Sequence, residues 1–183
     1  EFVRGTLAAC GREVLDAGVA STPTLGILVQ SRAAAGGVQI SASHNPLPYN
    51  GLKLFSSAGR VLPAKAGGAV LEAYRAGSPV WQMFDLLGYV RSVSDSTSAH
   101  LKRVLSTVDA ETIRRNRFRV LLDSNAGAGS VLGKQLLTEL GCEATLIGSE
   151  PSGRFLHPPE PTAENRAGVC QQVVDSKAVV GFY

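Results

Sequence analysis

Between residues 118 and 182 the chain alternates short apolar runs with longer stretches of helical period. Phe118–Leu122, Glu143–Ile147 and Val179–Phe182 read as strands, and Gly129–Leu140 and Thr162–Val174 as the helices between them. Strands joined through helices run parallel, because a crossover of that length returns the chain to the end from which it started. The pattern therefore predicts a largely parallel sheet with helices packed on it, although a reversed edge strand fits the same order. Glu164 and Asn165 fall in the first turn of the last helix.

The first half is patterned less regularly. Residues 2–16 read as a helix with Phe2, Val3, Leu7, Val14 and Leu15 on its apolar stripe, ended by Gly18. Thr22–Pro23 reads as an N-cap followed by proline at the first helical position. That helix is expected to run to Ala35 and to stop at Gly36–Gly37. Val38–Ile40 and Leu52–Phe55 read as strands, Ser56–Arg60 as a turn and Pro63–Arg75 as a helix. Residues 76–99 are irregular, with a serine-rich stretch at 92–98, and a helix is expected over 97–108. A domain boundary near residue 95 divides the chain into 1–95 and 96–183. The fold class expected is α/β: two consecutive three-layer domains with mixed, largely parallel sheets.

Composition excludes several functions. A hydrophobic fraction of 44% excludes a disordered chain. A net charge of +3 is too mild for a nucleic-acid binder, and no zinc-finger or aromatic RNA motif accompanies the run Arg114, Arg115, Arg117 and Arg119. That run reads as a solvated segment before a strand. Cys10, Cys142 and Cys170 have no metal-ligand spacing and read as reduced core residues. No apolar span of about 18 residues and no signal peptide is evident, so no membrane partner and a cytoplasmic location are expected. The oligomeric state is left open.

The chemistry concentrates in Ser41-Ala42-Ser43-His44-Asn45-Pro46 and Asn50-Gly51-Leu52-Lys53. An unmodified serine is a weak nucleophile. His44 is adjacent to Ser43 and badly placed to act as its base, and there is no Gly-x-Ser-x-Gly elbow, so a hydrolase is a poor fit. Phosphoserine fits better. It carries roughly −1.5 to −2 charges and needs cations and N–H donors around it. His44, Lys53 and the turn's backbone supply them. Asn45 is expected to brace the loop through its side chain, Pro46 and Pro48 to stiffen it, and Gly51 to permit tight geometry before Lys53. Gly127, Gly129 and Gly133 miss the dinucleotide fingerprint, whose glycines fall at positions 1, 3 and 6. Asp123 reads as a turn residue rather than a metal ligand.

These motifs resemble those of the α-D-phosphohexomutase superfamily, the phosphoglucomutases, phosphomannomutases and phosphoglucosamine mutases. The signature Thr/Ser-Ala-Ser-His-Asn-Pro followed by Asn-Gly-x-Lys is present at Ser41–Pro46 and Asn50–Lys53. Gly37–Ile40 matches its usual lead-in, and Gly18–Pro23 resembles an upstream Gly-(x)3-Thr-Pro segment. Asp123–Ser130 resembles an Asp-x-x-x-Gly-x-Gly segment, with Ala126-Gly127 in place of the common Asn-Gly. His157-Pro158-Pro159-Glu160-Pro161-Thr162 resembles the family's Pro-Glu-Pro-Thr stretch, with Glu164-Asn165 following.

The resemblance implies that Ser43 carries the transferred phosphoryl group and that its phosphoryl oxygen binds Mg²⁺. Lys53 then stabilises charge on that group, and His44 is a polar or proton-transfer candidate. The substrate implied is a hexose phosphate, interconverted between its 1- and 6-phosphates through a hexose 1,6-bisphosphate that also acts as activator. It further implies four domains and an Asp-x-Asp-x-Asp-Arg metal loop after a strand like Val179–Phe182, which this sequence does not contain. Both domains are then expected to be incomplete and the isolated chain inactive. The alternatives are a noncatalytic phosphosugar-binding or regulatory relative, and a structural or interaction domain with an unmodified Ser43.

Overall fold

The computed structural model describes residues 1–45 and 48–183. Pro46 lies outside the described residues. The second half forms as its periodicity predicts. Strands β5 (Arg119–Asp123), β6 (Glu143–Ile147) and β7 (Val180–Phe182) make one parallel sheet in the order β6-β5-β7. Helix α6 (Gly129–Glu139) joins β5 to β6, and α7 (Ala163–Asp175) joins β6 to β7. The two connections move across the sheet in opposite directions. Right-handed crossovers therefore place α6 and α7 on opposite faces, giving an α/β/α sandwich. Val120 and Leu121 of the central strand are buried, with Leu137 and Val169 from the two helices. Each such side chain stabilises the fold by about 1.5–3 kcal/mol. Thr162 caps α7 by accepting from the Asn165 N–H at 3.2 Å.

The first half departs further from expectation. Helix α1 covers only Phe2–Ala9, and residues 14–16 are a strand, β1 (Val14–Asp16). Gly11, with φ of 74°, ends α1 in a Schellman arrangement: its N–H reaches Ala8, and the Arg12 N–H reaches Leu7. β1 pairs in parallel with β4 (Val90–Ser92), a strand inside the segment that reads as irregular. Arg4 of α1 pairs with Asp16 at the end of β1, and Arg91 of β4 with Glu13 just before β1.

Helix α2 (Thr22–Ser31) takes Ser21 as its N-cap and Pro23 within its first turn, one residue earlier than the sequence suggests. It stops at Arg32, and Ala33 takes a φ of 49°. Gly36 and Gly37 open strand β2 (Gly36–Ile40) rather than close the helix. β2 pairs antiparallel with β3 (Leu52–Ser56). Leu28 and Val29 of α2 are buried, as is Phe55 of β3. The helix touches the hairpin so closely that a Cβ on Gly26 would lie 2.5 Å from the Gly59 carbonyl oxygen.

Helix α3 (Ala64–Ala76) follows as predicted. The helix expected over 97–108 is shorter, α4 (Ser98–Leu105), and a second one, α5 (Ala110–Asn116), comes before β5. Arg114 and Arg115 thus sit in the last turn of a helix that buries none of its residues and leads into β5. Asp109 starts α5 by accepting from the Thr112 N–H at 3.0 Å. The cysteines are unpaired, but Cys170 is exposed and the other two half-buried, so none is a fully buried core residue. Among the described residues no helix is long and apolar enough to cross a membrane.

Candidate active site

The Ser43 motif is the loop of the β2–β3 hairpin. The last paired residues are Ile40 with Leu52, and the Ser41 N–H donates to the Gly51 carbonyl at 3.0 Å, closing the neck. Ser43 has a φ of 58°, the left-handed region a β-carbon disfavours. Its N–H donates to the Ser41 hydroxyl at 3.0 Å, and the Asn45 N–H to the Ala42 carbonyl at 3.1 Å. The Gly51 N–H donates to the Asn50 side chain at 2.9 Å. Ser41 and Asn50 are thus the side chains that brace the loop, while Asn45 contributes its backbone. The turn leaves Ser43, His44 and Asn45 exposed.

Lys53 is half-buried and lies opposite Gln39 in the hairpin. Opposed residues of an antiparallel pair share one face. Gln39 donates to the Ala20 carbonyl at 3.3 Å, so Lys53 shares the face turned toward the chain entering α2.

Ser43, His44 and Lys53 come together on one wall of an open cleft of about 970 Å³. The opposite wall is the C-terminal edge of the parallel sheet, where ligands of α/β folds bind. Asp123, Asn125, Phe155, Phe182 and Tyr183 line it. The N-terminal turns of α2 and α6 also reach the cleft, and neither carries a side-chain cap. Their free N–H groups and dipoles favour negative charge in the space between the walls.

The second wall contains a cluster that sequence reasoning missed. The Asp123 side chain is only 1% exposed and accepts from the His157 Nε2 at 2.8 Å and the Asn125 N–H at 2.8 Å. Asn125 in turn brackets the loop that carries His157. Its amide oxygen accepts from the N–H groups of Leu156 at 2.8 Å and His157 at 3.2 Å, and its NH₂ donates to the His157 carbonyl at 2.9 Å. Tyr183 stacks on His157 with ring centroids 5.1 Å apart. Burial, and then the Asp123 charge, push the Tyr183 phenol above its ordinary pKa.

Asn125 and Ala126 both have positive φ, 45° and 54°. The replacement of the common Asn by Ala126 therefore puts a residue without a local side-chain hydrogen bond into a left-handed position. Gly148 lies against this turn: a Cβ there would sit 2.4 Å from the Ala126 nitrogen. Asp123 and His157 are 34 positions apart, and no local spacing announces their pairing. The one available signal is an aspartate at the C-terminal end of a central strand.

A Mg²⁺ wants near-octahedral oxygen ligation, commonly including carboxylates. Among the described residues no group of three or more His, Cys, Asp and Glu side chains converges. Ser43 offers one oxygen, and the Asp123 carboxylate is already engaged. The residues of this chain do not by themselves make that site.

Two family descriptions match the chain. Phosphoglucomutase/phosphomannomutase alpha/beta/alpha domain I matches residues 1–79, and domain II matches residues 98–183. A phosphoglucosamine mutase of Arthrobacter sp. is 38% identical over 82% of this chain and 32% of its own length. A phosphoglucomutase/phosphomannomutase of Thermococcus kodakarensis is 33% identical over 91% of this chain and 37% of its own. The chain thus spans about a third of the length of these curated relatives. Among solved structures, a Thermus thermophilus protein assigned by its name to the phosphomannomutases superposes with a TM-score of 0.77 at 26% identity, covering 93% of this chain and 39% of that one.

Proposed function

The chain belongs to the phosphoglucomutase/phosphomannomutase family, within the α-D-phosphohexomutase superfamily, and we propose that the whole protein interconverts hexose 1-phosphate and hexose 6-phosphate through a phosphoserine at Ser43. The observation that carries this is the placement of Ser43 in a strained, exposed turn on the same cleft wall as Lys53 and His44. Such strain in a polar loop suits a group that must meet a substrate in solution.

The Oγ–P bond of phospho-Ser43 breaks as a sugar hydroxyl oxygen bonds to phosphorus; that hydroxyl gives its proton to a base, and the departing Ser43 Oγ takes up a proton in its place. The product is a hexose 1,6-bisphosphate and a free Ser43 hydroxyl. The bisphosphate turns over in the cleft and returns its other phosphoryl group to Ser43. Lys53 and the uncapped helix ends offer positive charge to the equatorial oxygens, which is the main way a protein accelerates phosphoryl transfer. His44, beside the nucleophile, is the proton-transfer candidate.

Mg²⁺ bound through the phosphoserine, with hexose 1,6-bisphosphate as activator, belongs to this proposal for the whole protein; the ion would neutralise phosphoryl charge. A cytoplasmic location and a small phosphosugar as partner belong to it too. One lysine and one histidine do not clamp both ends of a hexose bisphosphate. Negligible turnover is therefore expected from these 183 residues alone.

Intact mass tests the reading. The whole protein treated with Mg²⁺ and hexose 1,6-bisphosphate should gain about 80 Da, and the Ser43→Ala variant should not. No gain in the whole protein would point instead to a noncatalytic phosphosugar-binding relative.

A further inference from the structure

Three pieces of chain that are far apart in sequence meet at His157. They are the β5–α6 turn, the loop 149–162 and the end of β7. The imidazole Nε2 faces Asp123 at 2.8 Å, and the imidazole Nδ1 lies 3.1 Å from the Pro158 carbonyl oxygen. One ring face is covered by Tyr183, whose interplanar angle with it is 24°. The Tyr183 hydroxyl is 3.1 Å from both the Pro158 carbonyl oxygen and the imidazole Nδ1. An imidazole lone pair lies in the ring plane, so a phenol stacked on the face donates better to the carbonyl. His157 therefore acts on Tyr183 chiefly by stacking, and on Asp123 by hydrogen bonding.

We propose that His157 is a positioning residue: anchored by Asp123 and by the Asn125 bracket, it fixes Tyr183 and the end of β7 as the cleft wall opposite Ser43. The anchor is shielded from water, because Asp123 is buried and accepts from both His157 and the Asn125 N–H. The aim is accurate because each component restrains another. Asn125 holds the backbone of the His157 loop, while the His157 side chain holds the carboxylate two residues before Asn125. Such reciprocal support keeps a site within the few tenths of an ångström that a reacting geometry tolerates. The substrate that meets this wall would be a phosphosugar, and that consequence rests on the phosphohexomutase reading. The fixation of Tyr183 does not.

The test separates the two. His157→Gln keeps an amide N–H within reach of Asp123 but removes the ring beneath Tyr183, whereas His157→Leu removes both. In the whole protein the Gln variant should keep Ser43 phosphorylation and a KM within about threefold of wild type, and lose about 10- to 100-fold in kcat, since a 1 Å misplacement costs on the order of that much. In the 183-residue chain, imidazole NMR should show a slowly exchanging His157 Nε2 proton. The Tyr183 ring signals should shift in His157→Gln while the rest of the spectrum stays. Wild-type kcat together with unshifted Tyr183 signals in His157→Gln would overturn the proposal. A whole protein with neither turnover nor phospho-Ser43 would sink the mutase reading instead. The Tyr183 signals would then decide alone: moved by His157→Gln they support the positioning role, and unmoved they end it.

Discussion

The two walls of the cleft are built on opposite principles. The Ser43 wall is local: Ser41–Asn45 and Asn50–Lys53 fold back on one another, its hydroxyl and imidazole are exposed, and its braces are hydrogen bonds between near neighbours. The Asp123 wall is assembled from residues 123–183, and its central carboxylate is shut away from water. Under the proposed function one wall would carry the chemistry and little of the stability, and the other would carry stability and set where that chemistry happens. The difference explains how an exposed, strained serine is tolerated. The strain sits in a hairpin loop, and the sheet edge opposite it is over-determined.

Removing the hydroxyl proposed to carry the phosphoryl group tests this division most severely. Ser43→Ala should lower phosphoryl transfer by the whole protein more than about 10³-fold, because no other hydroxyl takes its place. The same change should move the urea-derived stability by less than about 0.5 kcal/mol, as for an exposed residue. A large loss of stability would show that the Ser43 wall is structural as well. His157→Leu should do the reverse in kind. It takes the His157 hydrogen bond from a buried carboxylate that keeps only the Asn125 N–H, and about 1–3 kcal/mol should be lost in urea unfolding. If that variant is as stable as wild type, the Asp123 wall is not the rigid one.

The same contrast governs what could be read from sequence. Ser41–Lys53 is contiguous, so its residue types alone announce a charged, donor-rich turn. The sheet β6-β5-β7 is legible because its helices keep their period through Leu137 and Val169. Asp123 and His157 are joined only by the parallel sheet and the loop folded across its end, a long-range arrangement that no local pattern encodes. β1 and β4 were hidden for a related reason: each is three residues long and takes its strand character from the other. The short extent of α1, in contrast, had a local signal. Gly11 sits where a Schellman cap needs a left-handed residue, yet the apolar stripe that includes Val14 and Leu15 suggested a longer helix. Helix α5 had one too, in Asp109 three residues before Thr112.

The two halves of the chain are joined behind the cleft by a polar contact that pH should weaken. Thr24, almost completely buried at 1% exposed, bonds the Ser21 hydroxyl at 2.8 Å and the Nδ1 of His100 at 2.9 Å. Burial, and then Arg103 nearby, hold the His100 pKa below its ordinary value. The unfolded chain therefore takes up the proton first, as pH falls through about 6.5. Stability should be complete above that pH, decline as pH drops toward the lower folded value, and level off below it. Urea titrations at several pH values should show this slope, and His100→Gln should flatten it in that window. An unchanged slope in the variant would place the titrating group elsewhere.

The smallest effect sets one alanine of each half against the other. Ala33 closes α2 in a Schellman motif: its own N–H reaches Gln30 at 3.1 Å, and the Ala34 N–H reaches Val29 at 3.0 Å. Its φ is 49° and it is exposed. Ala126, with a φ of 54°, is under the same backbone strain but is 5% exposed. Glycine relieves about 1–2 kcal/mol of left-handed strain at either position. It also adds about 0.5–1 kcal/mol of chain entropy to the unfolded state. Ala33→Gly should therefore stabilise by about 0.5–1 kcal/mol. Ala126→Gly gains the same but gives up a buried methyl group, about 0.8 kcal/mol, and should come out near neutral. Urea unfolding of the two variants side by side reads the difference. Equal gains would mean that the Ala126 methyl group contributes nothing to the packing of the Asp123 wall, and that this wall is held by its hydrogen bonds alone.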